Sequence, residues 1–226
     1  MTVERWANYK FVAVLSSAGF LSGLITAAVV FPSGKDGVFI WGGVFGVSMA
    51  IALAVCGVLP GLWKAFLFPV AAAVAFFLSW FAAGLVDYGL SAEHFSMSTT
   101  TFYLIGMFAG GIVGGFTVLG MISILVHPKL GIRTLAVKAV TGSLVGGILG
   151  VIGWLLGPSL GMAIWSGVHG LGLTAPTETF QSALTETCHL YSLFVVWQTG
   201  MALVLAIMLW PYNARTRDVS SNGVDV

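Results

Sequence analysis

Charge is what this chain has least of. Of 226 residues only 9 are Lys or Arg and 8 are Asp or Glu, or 8%, where a soluble domain carries about 25%. So few ionised groups do not coat a water-facing surface of this size, which excludes an ordinary soluble enzyme. A net charge of +1 supplies no basic footprint, so no nucleic-acid partner is expected. Cysteine is equally scarce. Cys56 and Cys188 are the 2 present, and they fall near opposite ends of apolar runs separated by a core of about 30 Å, too far for a disulfide. No C-x-x-C, H-E-x-x-H or Walker loop occurs, and the ends carry no lipidation signal.

What is abundant is apolar. Residues of the AVILMFWYC set make up 58% of the chain, and the mean hydropathy is +1.00, which excludes disorder. Crossing a hydrocarbon core takes about 20 apolar residues at about 1.5 Å each. Six charge-free stretches are that long: 11–31, 38–59, 65–86, 102–126, 139–157 and 190–210. They predict an all-α integral membrane protein with six transmembrane helices in a single domain, 1–212, followed by a short disordered cytoplasmic tail, 213–226. The first run shows no convincing cleavage site and is expected to be a retained signal-anchor.

The flanks of those runs give the orientation. With six spans, both termini and the loops 60–64 and 127–138 share one side. That side holds Arg5, Lys10, Lys64, Lys129, Arg133, Lys138, Arg215 and Arg217, and the other holds only Lys35. The positive-inside rule then places both termini in the cytoplasm, in a bacterial-type cytoplasmic membrane. Trp6, Tyr9, Trp63, Trp210 and Tyr212 are expected in the inner aromatic belt, and Trp41, Trp80, Tyr88, Tyr103, Trp154 and Tyr191 in the outer one. Trp197, about two turns inside the sixth run, fits neither. The basic loop with Lys129, Arg133 and Lys138 is the patch suited to anionic lipid.

Glycine is the second excess. The fourth run carries Gly106, Gly110, Gly111, Gly114, Gly115 and Gly120. In the fifth, Gly142, Gly146, Gly150, Gly153 and Gly157 fall within one sector of roughly 80°, along roughly 22 Å of helix. Each glycine costs about 1 kcal/mol in a helix relative to alanine, so close backbone approach between these two spans is the expected return. A groove of bare backbone admitting an apolar chain is the sharper form of the same idea.

Chemistry is thin at depth. The spans contain no ionisable acid, base or histidine. Gln198 is their most polar group, and serines and threonines such as Ser22, Thr26, Ser79, Thr117 and Thr141 are expected to bond the preceding turn. An ion-coupled midplane transporter is therefore disfavoured. The long outer loop 158–189 holds an apolar segment, 160–173, too short to span, and expected to be interfacial or re-entrant. Gly157-Pro-Ser-Leu-Gly161 matches G-x-S-x-G but lacks a strand before it, so a helix-terminating turn is the reading. Glu186-x-x-His189 puts an acid and an imidazole one turn apart. Together with His169 or His94 it is the one candidate set for Zn or Fe.

These observations leave two functions standing. The first is a non-enzymatic, permease-like or accessory membrane subunit for a neutral or apolar solute, or a packing subunit of a complex. The second is a membrane enzyme with an outer-face metal site at Glu186 and His189. No cofactor is required by the sequence. The partners expected are membrane lipid and either a second copy of the chain or a larger membrane complex.

Overall fold

The computed structural model describes residues 3–33, 37–59, 62–91, 99–126, 131–170 and 182–221. Among these residues every regular element is helical: α1 Val3–Ser33, α2 Val38–Val55, α3 Leu62–Ser91, α4 Thr99–Val126, α5 Ile132–Leu155, α6 Met162–Gly170 and α7 Ser182–Ser221. All but α6 contain a stretch long and apolar enough to cross a membrane, six in all. The chain is thus an all-helical protein built like a polytopic membrane protein.

Which residues face out supports that class. Phe66 is 77% exposed and Ile51 59%, whereas Ser22, Thr26, Ser192 and Gln198 are fully buried. Large apolar side chains outside and polar ones inside is the inverse of the soluble pattern, and it suits a solvent of hydrocarbon.

The helices close into a ring. Each of α1 to α4 packs on the next, and α7 packs on both α5 and α1. Neighbours run antiparallel, as the close approaches show. Gly42 faces Ala73 while Gly46 faces Pro69, Gly115 faces Gly142 while Gly111 faces Gly146, and Gly19 faces Ala202 while Gly23 faces Val195. At most of these glycines an added Cβ would stand on a neighbour's backbone, 2.6 Å from the Ala72 oxygen at Gly42 and 2.7 Å from the Val195 Cα at Gly23.

The helix boundaries depart from the apolar runs for local reasons. α2 stops at Val55, before residue 59, because Gly57 takes φ +70°. Its N–H donates to the Ala54 oxygen and that of Val58 to the Leu53 oxygen, both at 2.9 Å. This is a Schellman end, which satisfies the last carbonyls before Pro60. α5 begins at Ile132, since the only obstacle to starting there is the charge of Arg133 and Lys138, and charge does not break a helix. α7 runs on to Ser221, through residues 213–221 that composition assigns to a disordered tail. The helix passes through Pro211 and meets no glycine between Gly200 and Gly223.

Residues 157–161 follow the end of α5, whose C-cap is Leu156, and form a single π turn that joins it to α6. Pro158 has no N–H to give, and the Leu160 N–H reaches the Leu156 oxygen at 2.9 Å. One inserted residue of this kind widens the helix and rotates the turns beyond it. Gly157 and Gly161 on this turn are both buried, and a Cβ there would collide with His189 and with the Cys188 carbonyl of α7.

Candidate functional site

Inside the ring lies a partly open cavity of about 60 Å³. Three of its walls are glycine backbone, at Gly110, Gly111 and Gly150. The others are mainly aromatic. Trp41 comes from the start of α2, Phe76 and Trp80 from α3, and Phe194 and Trp197 from α7. The rings brace one another edge to face: Trp41 on Phe194 at 5.0 Å, Trp41 on Trp80 at 5.6 Å, and Trp197 on Phe76 at 5.0 Å. Among the described residues the lining includes no ionisable side chain, and Ser79 is its one aliphatic polar group.

Hydrogen bonding around the cavity is uneven. Ser79 Oγ donates to the Gly110 oxygen across the α3–α4 seam at 2.7 Å. It does not bond its own preceding turn, because Gly110 brings a foreign carbonyl closer. Thr117 and Thr141 do bond their own helices, to Val113 and Val137. Trp41 and Trp197 are 4% and 6% exposed, and neither indole N–H has a hydrogen-bond partner among the described residues.

A second polar feature lies behind Trp197. Gln198 is buried between α7 and α1, where its Oε1 accepts from Ser22 Oγ at 2.6 Å and its Nε2 donates to Thr26 Oγ1 at 3.1 Å. Ser22 also lies 2.9 Å from the Gly19 carbonyl. Both ends of the amide are used, which is how a polar group becomes tolerable at that depth. This is a structural clip, since all its hydrogen-bonding groups point at each other.

The glycines of α4 and α5 do not form one lane. Gly142, Gly146 and Gly150 lie against Gly115, Gly111 and Met107 of α4, whereas Gly153 and Gly157 lie against Leu193 and His189 of α7. α4 divides its own glycines. Gly111 and Gly115 face α5, Gly110 and Gly106 face Ser79 and Ala83 of α3, and Gly114 faces Ser79 and Trp197. A sector drawn on one helix does not see that two partners share it. Gly19, Gly23, Gly42 and Gly46, which carry no weight in the sequence pattern above, make equally close approaches. Their signal is the four-residue spacing in each pair.

Of the candidate metal ligands, His189 is described. Its ring stacks on Trp154 at 4.4 Å and 19°, and Tyr103 stacks on the same indole at 5.1 Å. Nδ1 lies 2.6 Å from the Trp154 carbonyl. A carbonyl only accepts, so in this contact the His189 Nδ1–H is the donor. Glu186 lies on α7 and His169 on α6, but their side chains, like the whole of His94, lie outside the described residues. No group of three or more His, Cys, Asp or Glu converges among the described residues. Arg133 is exposed at the start of α5, Lys138 is half-buried, and Lys129 lies outside the described residues. Trp41 and Trp154, expected in the outer belt, are buried in the bundle, while Trp63, Trp80 and Tyr88 are exposed.

Compared with protein-family models, with curated proteins and with solved structures, the chain finds no match.

Proposed function

We propose that this is a multi-pass protein of a bacterial-type cytoplasmic membrane, with both termini in the cytoplasm, and that it is a permease-like or accessory subunit receiving a neutral or apolar solute in the cavity of its helix ring. The observation that carries this reading is the lining: aromatic rings and bare glycine backbone with no ionisable side chain among the described residues. Such a surface has nothing to replace the hydration of an ion, and it accepts an uncharged guest at little desolvation cost. The basic flanks of Lys64, Arg133 and Lys138 support the orientation through the positive-inside rule.

Apolar solutes cross lipid unaided, so occupancy is a sharper assay than flux. Xenon enters apolar cavities. Native protein in detergent should give a bound-xenon NMR signal that disappears when Ala83, on the cavity wall, is replaced by Phe. Equal xenon binding by both proteins would remove the cavity as the site. The orientation is tested by terminal tags, which should react only after permeabilisation.

One observation favours a second reading, an outer-face metal site. The Nδ1–H of His189 is held by the Trp154 carbonyl, which is the arrangement that fixes a metal-binding imidazole with Nε2 free. Stoichiometric Zn or Fe in purified protein, lost on joint replacement of Glu186 and His189 by Ala, would establish it.

A further inference from the structure

We infer that the guest of the ring cavity is the hydrocarbon chain of a phospholipid from the outer half of the membrane, lodged by its chain with the headgroup left at the surface. The inference rests on the cavity reading above and names the class of guest.

Depth is the first observation. Trp41 stands near the start of the α2 span, Ala83 near the end of the α3 span, Gly110 in the first half of α4, Gly150 near the end of α5 and Phe194 near the start of the α7 span. Neighbouring helices run antiparallel, so these positions share one half of the bundle, the half that the basic flanks place away from the cytoplasm. The deepest lining residues on α3 and α7 are Phe76 and Trp197, close to the middle of their spans. Their rings meet edge to face at 5.0 Å, and Phe45 closes on them at 6.2 and 6.1 Å. Beyond this three-ring floor the interior is filled: Leu53, Phe68, Leu119 and Leu205 are each 2% exposed or less. The cavity is a dead end at mid-depth. Its wall from Ala83 down to Phe76 covers about 10 Å of helix, within the roughly 15 Å of hydrocarbon in one leaflet. A lipid chain of that leaflet runs over the same interval and stops at the same depth.

Size and lining are the second observation. The cavity holds about 60 Å³ and is partly open. An apolar cavity of about 150 Å³ admits benzene, and this one has less than half that volume, so a rigid ring does not fit inside it. A flexible chain enters by a few methylenes and lies with the remainder along the open side. Against the bare backbone of Gly110, Gly111 and Gly150 it gains dispersion contacts that an empty space forgoes. Ser79 has given its proton to the Gly110 oxygen at 2.7 Å, and no ionisable side chain lines the wall among the described residues. Nothing there draws a polar head inward, which leaves it at the membrane surface.

The test uses the native protein in phosphatidylcholine vesicles and two photoreactive probes. One is a phosphatidylcholine with a diazirine near the end of one acyl chain, and the other is adamantane diazirine, a compact apolar cage. Adducts are located by mass spectrometry. The lipid probe should label Phe76 and Phe194, which border the cavity and are more than nine-tenths buried, as well as the exposed Phe66 and Ile51. Adamantane should label the exposed pair alone. Ala83→Phe, which narrows the cavity, should remove the Phe76 and Phe194 adducts and keep the other two. Should that variant fail to fold, the two probes on the native protein decide. Lipid adducts confined to Phe66 and Ile51 overturn the inference, and equal labelling of Phe76 and Phe194 by adamantane overturns the choice of a chain over a compact guest. Adducts on Leu53 or Phe68 overturn the dead end. Xenon binding that persists through any of these failures leaves the solute cavity in place, whereas its absence from the native protein removes the cavity reading itself.

Discussion

Gly142 offers a quantitative test of how the bundle is held together. A Cβ at this position would stand 2.5 Å from the Gly115 oxygen and 2.7 Å from Leu119 Cδ1. A carbon beside a carbonyl oxygen normally rests at about 3.3–3.6 Å, so Gly142→Ala forces α4 and α5 apart by nearly an ångström or displaces the backbone. Overpacking of this kind costs about 1–3 kcal/mol, and lost Cα–H···O contacts add about 0.5–1 kcal/mol each. Against this, alanine regains about 1 kcal/mol of helix propensity. The net is a loss of about 0.5–3 kcal/mol. The control is Gly120→Ala on α4, where an added Cβ meets nothing within 4 Å and only the propensity gain of up to about 1 kcal/mol remains. The two substitutions should therefore move stability in opposite directions. Melting of detergent-purified protein, followed by reversible unfolding in SDS, reads the difference. If Gly142→Ala melts as high as Gly120→Ala, close α4–α5 approach is not what stabilises the ring.

Larger replacements on the same seam, Gly146→Leu or Gly150→Leu, should abolish recovery of folded monodisperse protein on size exclusion, because both glycines face α4 backbone. Removing the clip should be mild. Ser22 keeps the Gly19 carbonyl as a partner, so a double-mutant cycle of Ser22→Ala with Gln198→Leu should give a coupling of about 0.6 kcal/mol and below about 2; a coupling above that range would mean the pair is more than a clip. Gly157→Ala should destabilise the π turn, and Gly157→Ala/His189→Ala should recover only part of the loss in melting temperature, since the added methyl meets the His189 backbone as well as its ring. Full recovery would show the ring alone to be the obstacle. His189→Ala should raise Trp154 fluorescence by unstacking the two rings; an unchanged emission would count against the stack.

The six apolar stretches were legible because lipid imposes one requirement, a run of about 20 residues without charge, and this chain meets it six times. Their ends were less legible, because a hydropathy run stops at a charge and a helix does not. Arg133 and Lys138 sit within α5, and α2 ends at Gly57 through backbone geometry that hydropathy does not register. The cavity was half visible. Trp197 stood apart from both aromatic belts and Gln198 was the most polar group at depth, yet neither observation says which way a ring points. Trp41 was misplaced in the belt because depth along a helix and azimuth around it are independent, and a sequence gives the first more readily than the second. For Glu186, His169 and His94 the structure adds no side chain, so that set stands as the residue types alone present it.

Depth and azimuth together explain why the interior is built as it is. In hydrocarbon there is no gain in hiding apolar side chains from the solvent, so Phe66 and Ile51 face outward at no penalty. Tight packing and internal hydrogen bonds are then what distinguish the folded ring from separate helices. Glycines make close backbone approaches at the α2–α3, α4–α5, α5–α7 and α1–α7 seams, and the Ser22–Gln198–Thr26 clip supplies internal hydrogen bonds. In such an interior nearly every polar atom has a reason to be paired, as Ser79 and Gln198 are. The indole N–H groups of Trp41 and Trp197, buried without a partner among the described residues, are therefore a net cost to the isolated bundle.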